Sequence, residues 1–288
     1  MKSIYLIALL FLSICCFSQK TSSLIFHEDT LISLLTKTRN EKDLKKAFEL
    51  NIDFENHLRK VLRYDQAFTF KFDSLSKMMS TITSPDNAFR IFNWNIELSK
   101  QEHIYHCLIL KYNPKSKQYS IIKLQDKSAS AFDPEYLSYS DKTWYGALYY
   151  KIIPIKKPNS TIYTLLGWDG NNQFSNKKII ESMAFHKKDA VKFGLPIFSS
   201  DDFRTKRRVI FQYNKNSYMS LKHKKSKKQE LIIFDHLTPK SPNLEGMKDW
   251  YVTDLSFDAF KLEKGKWIYI QDIDVQQSTV DKRPYNAP

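Results

Sequence analysis

The strongest constraint on this chain lies between Phe89 and Ile273, where apolar, aromatic and β-branched residues return every second position in short runs. The runs cover 89–98, 104–112, 119–124, 144–155, 161–168, 179–185, 208–213, 218–222, 231–234, 256–262 and 267–273. Many are joined by two to five turn-forming residues, such as Pro158-Asn159-Ser160, Asn214-Lys215-Asn216 and Glu263-Lys264-Gly265. Parallel neighbours need a crossover of a dozen or more residues, which such loops cannot house. The sheet is therefore expected to be antiparallel, a large meander that forms a bent sheet, a sandwich or a barrel. A propeller-like arrangement is the alternative, suggested by Ser84-Pro85-Asp86-Asn87. That element and Trp168-Asp169 each occur once, whereas a propeller repeats its signature every 40 to 50 residues or so. Scattered lysines on both faces argue against an outer-membrane barrel, which needs a continuous lipid-facing apolar band.

Upstream of Phe89 the period is helical. Leu31, Ile32, Leu34 and Leu35 follow Asp29 and Thr30, and Leu44, Ala47, Phe48, Phe54, Leu58, Val61 and Leu62 follow Asn40 and Asp43. Leu75, Met78, Met79 and Ile82 predict a third short helix behind Asp73, stopped by Ser84-Pro85. The fold class is thus α+β, mostly β. A helical cap segment (19–83) precedes a β-rich domain (84–288). With 42% hydrophobic and 14% aromatic residues the chain can fill a large core.

The first residues read as an address. Lys2 precedes an apolar run, 4–17, broken only by Ser13. The run is shorter than the roughly 20 residues of a membrane-spanning helix and has the length of a signal-peptide core. Residues 1–18 are read as that signal, with cleavage after Ser18 leaving Gln19 first. Cys15 and Cys16 raise a lipid anchor as the alternative, on a poor motif, since Ile14 or Cys15 stands where a small residue is required. The mature chain keeps one cysteine, Cys107, and forms no internal disulfide. It is expected to be exported, periplasmic or associated with an outer membrane, with no transmembrane span.

Only 6 glycines occur, at 146, 167, 170, 194, 246 and 265. No dinucleotide fingerprint, P-loop or nucleophile elbow can be written from them, and no cofactor is expected. Gly170 and Gly265 read as turns between strands. The formal charge of +14 comes from 45 basic against 31 acidic residues, but only 8 of the basic residues are arginine. Bidentate phosphate and guanine recognition prefers arginine, and export removes nucleic acid as a partner.

Five positions or clusters are candidates for chemistry. His103 and His106 have a metal-like spacing, yet residues three apart on a strand face opposite ways. Cys107 beside His106 lies in an apolar run, where a thiol is buried rather than activated. Trp168 and Asp169 open the stretch Asp169-Gly170-Asn171-Asn172-Gln173, which fails the calcium-loop pattern because Phe174 and Ile180 occupy the glycine and glutamate positions. Asp235 and His236 end the run 231–234, where a catalytic pair can be displayed or where polar groups bond to the next turn. Lys222, Lys224, Lys225, Lys227 and Lys228 form the densest charge, either a contact for an anionic polymer or a solvated hairpin tip.

Tyr163-Thr164-Leu165-Leu166-Gly167-Trp168-Asp169-Gly170, Arg208-Val209-Ile210-Phe211-Gln212-Tyr213, Phe234-Asp235-His236-Leu237 and Gly265-Lys266-Trp267-Ile268-Tyr269 resemble a family of uncharacterised exported proteins of Bacteroidota-type bacteria. The resemblance implies an envelope setting and carries no activity. The expected function is non-catalytic binding of an envelope protein or an anionic surface polymer. A hydrolase of an envelope glycan, ester or peptide, and a structural subunit of an envelope assembly, are the alternatives.

Overall fold

The structure is a computed structural model that describes residues 23–158 and 160–274. The signal-peptide and lipid-anchor readings fall on residues outside this range. Helix α1 (23–40) leads into α2 (Leu44–Val61). Asp43 caps α2 by accepting the Lys46 N–H at 3.1 Å, and Arg59 and Lys60 complement the dipole of its last turn. The buried stripe of α2 runs through Ala47, Asn51, Phe54, Glu55, Leu58 and Val61. No helix among the described residues is long and apolar enough to cross a membrane.

Among the described residues fourteen strands follow in three sheets. The first sheet is a meander of β1 (Ser80–Thr83), β2 (Phe89–Glu97), β3 (His103–Asn113) and β4 (Gln118–Gln125). The second contains β5 (Tyr139–Ser140), β6 (Leu148–Lys157), β7 (Ser160–Asp169), β8 (Ser175–Phe185), β9 (Val191–Phe193) and β10 (Arg208–Asn214). Strand β8 pairs with β7 along one side and with β10 and then β9 along the other. The third is a meander of β11 (Leu221–Lys225), β12 (Glu230–Pro239), β13 (Tyr251–Glu263) and β14 (Lys266–Ile270). All of these pairings are antiparallel, as the short loops require, and no sheet closes on itself.

The alternation of side chains stacks the layers. In the first sheet Ile91, Cys107 and Ile109 face the second sheet, while Phe92, Leu108 and Leu110 face the helices. In the second, Ile152, Leu165 and Ile179 face the first sheet, while Ile153, Leu166 and Ile180 face the third, against Ile232, Phe234, Phe260 and Trp267. The protein is thus helices, sheet, sheet, sheet, in chain order, and the propeller-like alternative is set aside. A third helix over 75–82 does not form. Only Leu75–Lys77 makes a 3₁₀ turn, and β-branched Thr81, Ile82 and Thr83 continue as β1 on the edge of β2.

The glycines divide by cause. Gly265, with φ +74°, and Lys264, with φ 48°, form the two-residue turn between Glu263 and Lys266. Gly170 serves close packing instead, because a Cβ there would run into the His103 ring. The left-handed position of that loop is taken by Asn171, with φ 49°.

Candidate functional site

The pairing of β12 with β13 is interrupted where the sequence places Asp235 and His236. Register runs evenly to Asp235 opposite Phe257 and resumes at Leu237 opposite Thr253, so β13 spends four residues where β12 spends two. Such bulges bend a strand and re-aim side chains, and they recur beside active sites. Leu255 in the bulge takes φ 71° and is 88% exposed. Positive φ is unusual for a bulky residue and costs on the order of 1–3 kcal/mol. Asp254 braces the bulge by accepting the Ser256 N–H at 3.0 Å and its hydroxyl at 2.7 Å.

His236 lies across from this bulge. Its Nδ1 is 2.8 Å from Oδ2 of Asp258, which is 3% exposed. Asp258 also accepts the Tyr269 hydroxyl at 2.8 Å and the Asp272 N–H at 3.0 Å. An acceptor-only carboxylate at Nδ1 calls for the proton on that nitrogen and leaves Nε2 with its lone pair. Burial, with the Asp258 carboxylate second, raises the Tyr269 phenol above its ordinary value.

Asp235 does not pair with His236. Its carboxylate accepts the Ser220 N–H at 2.7 Å, and burial pushes it above the usual range. Adjacent strand residues diverge, and this pair obeys that rule. The partner of the histidine is Asp258, from the run 256–262. The available signal was an acidic residue sharing the strand face of Phe260, a face otherwise committed to the core.

Both Asp235 and His236 line a cleft of about 440 Å³ between the second and third sheets. Phe203, Phe211, Phe234 and Tyr269 supply aromatic wall, with Phe211 and Phe234 ring centroids 4.6 Å apart and Phe203 and Tyr269 5.0 Å apart. Lys177, Lys248, Glu135 and Asp133 supply charge. Glu135 is already held by Lys206 at 2.9 Å, and the Lys248 ammonium rests 4.1 Å above the Tyr251 ring. Among the described residues no serine, threonine or cysteine lines the cleft.

The other candidates lie apart from it. Trp168 packs edge-on to His103, and Asp169 is buried, accepting the Tyr105 hydroxyl at 2.7 Å and the Asn171 N–H at 2.7 Å. Asp169 is 3.7 Å from Lys177, which lines the cleft. His103 and His106 face opposite ways: the first bonds Asn95 at 2.9 Å, and the second stacks on Trp94. Cys107 is buried, and burial raises its thiol pKa. Among the described residues no three His, Cys, Asp or Glu side chains are grouped to hold a metal ion.

The lysine run occupies the hairpin of β11 and β12. Glu230 ties down part of it, pairing with His223 at 3.0 Å and Lys225 at 2.8 Å, while Lys227 and Lys228 stand exposed at the tip. At about 3.3 Å per residue Glu230, where the tip begins, lies roughly 17 Å along the strand from Asp235. The basic hairpin and the cleft are separate features. No protein-family model, curated protein or solved structure matches the chain.

Proposed function

We propose that this chain is an exported envelope protein that binds a ligand with an apolar or ring-bearing part in the cleft between its second and third sheets. The observation that carries the reading is the convergence of Phe203, Phe211 and Tyr269 with half-buried polar groups in a cleft of about 440 Å³. Ligand sites commonly fall between about 300 and 1,000 Å³, with mostly apolar walls and a few placed polar groups. The envelope setting rests on the N-terminal residues and on the resemblance given above. The lysine hairpin supports a weaker contact with an anionic surface, carried by Lys227 and Lys228 at its tip.

Native mass spectrometry of the purified full chain after incubation with envelope extract tests the reading. A bound small molecule is expected, and Phe211→Trp, which fills the cleft without removing a hydrogen bond, is expected to weaken its retention at least tenfold. Equal retention by both proteins, or none by the unaltered chain, would refute it. Export is checked separately by sequencing the N-terminus of the mature protein, which should begin at Gln19.

A further inference from the structure

We propose that the cleft is a hydrolytic site in which His236 is the general base, its substrate an ester whose acyl group is apolar or aromatic. The inference rests on the cleft being a ligand site and adds turnover to binding. The first support is orientation. Asp258 is buried, holds Nδ1 of His236 at 2.8 Å and is itself held by Tyr269 and the Asp272 N–H, so the ring is fixed with Nε2 as its proton-accepting atom. A carboxylate placed this way also stabilises the imidazolium that forms when the base takes a proton.

The second support is access. The His236 side chain is 36% exposed and lines the cleft, and no protein group among the described residues bonds its Nε2. The third is construction, since the histidine stands opposite a bulge containing a strained Leu255, and unfavourable backbone of this kind concentrates at functional sites. The fourth is the adjoining wall, where Phe203, Phe211 and Tyr269 offer apolar rings to an acyl group.

With no serine, threonine or cysteine among the described residues that line the cleft, the nucleophile is water. One water O–H proton passes to Nε2 while the oxygen forms a bond to the acyl carbon, and the carbonyl π pair moves onto its oxygen. Lys177 and Lys248 supply positive charge to the cleft in which that oxyanion develops. Collapse restores the carbonyl and breaks the bond to the leaving oxygen, which takes the proton from Nε2. The products are a carboxylic acid and an alcohol, and no other reactant is consumed.

Hydrolysis of 4-nitrophenyl acetate, butyrate and benzoate by the purified full chain, followed between pH 5 and 9, tests the proposal. Binding of N-(4-nitrophenyl)benzamide, a slowly hydrolysed analogue, is measured in parallel. Turnover above the buffer rate is expected, rising with pH to a plateau. H236Q should lower kcat/KM by about 100-fold or more, the scale of general-base catalysis, with analogue binding kept. Asp258 is a positioning residue: D258N should lower kcat more than it alters KM and move the rising limb to lower pH, because the imidazolium loses its carboxylate.

Full turnover by H236Q would overturn the proposal, and so would a wild-type rate with no ionising group between pH 5 and 8, a measurement that holds even if the variants fold poorly. Analogue binding without turnover overturns the hydrolytic inference alone. Neither binding nor turnover overturns it together with the ligand-site reading for this chemistry.

Discussion

Asn51 sets the tautomer of His106. Its side-chain oxygen accepts the indole N–H of buried Trp94 at 2.7 Å, so its amide nitrogen is the atom 3.4 Å from His106 Nε2. A donor faces that nitrogen, which must therefore present its lone pair. Burial lowers His106 to about 4, with Glu55 pulling upward and Lys123 downward. The unfolded chain takes up this proton near pH 6.5 and the folded chain only near 4, so stability is fully present above the first value and falls as pH drops toward the second. Each pH unit inside the window is worth about 1.4 kcal/mol. Glu55 is held low by Lys123 and Arg59 against its burial, so its contribution is lost only below the ordinary carboxylate range. Urea unfolding between pH 6.5 and 5 should accordingly lose about 2 kcal/mol through His106 in the wild type. The slope should be shallower in His106→Gln, the remainder coming from His57, His103 and His223, which burial also holds low, and an unchanged slope in that variant would refute the assignment.

At the scale of elements, the β13 bulge combines a local cost with a placed histidine. Glycine takes positive φ without the Cβ penalty, so Leu255→Gly should raise stability by about 1 kcal/mol, less the extra entropy that glycine carries in the unfolded chain. A loss of about 1 kcal/mol or more in urea titration, the entropic cost of glycine with no strain relieved, would mean that Leu255 is not strained. The bulge was not legible in the sequence, because alternation on either side of it is correct and only the register between strands reveals the extra residues. What could be read were features with a local cause. Asp43 caps α2 as its spacing indicates, and the alternating runs become strands because each must bury a face. Leu75, Met78, Met79 and Ile82 imitate a helix, yet β2 offers an open edge that Ser80–Thr83 pairs with instead. Strands β5 and β9, two and three residues long, carry too few positions to display any period. Of the candidate site, His236 was named and its environment was not. Asp258 and Tyr269 come from β13 and β14, and a contact across strands has no signature in the spacing of either.

At the scale of the molecule, the second sheet has no face turned to water. Ile153, Ile155, Leu166, Ile180 and Val209 are covered by the third sheet, which is built from Leu221 onward, with Ile197 and Phe198 joining the same cluster from the segment before β10. A protein ending at Tyr218 would keep the helices and the first two sheets but expose most of this apolar face. It is expected to be soluble only with detergent and to bind an apolar dye strongly, whereas a monomeric, soluble product that binds no dye would show that the third sheet is dispensable. The order of the layers also bears on how the chain is made. Helices, first sheet, second sheet and third sheet follow one another in sequence, and each cluster of core residues joins neighbours in that order. A chain released from a ribosome or a secretion channel in the same order can dock every new layer on one already formed. Its most exposed moment comes late, when the second sheet has emerged and the third has not.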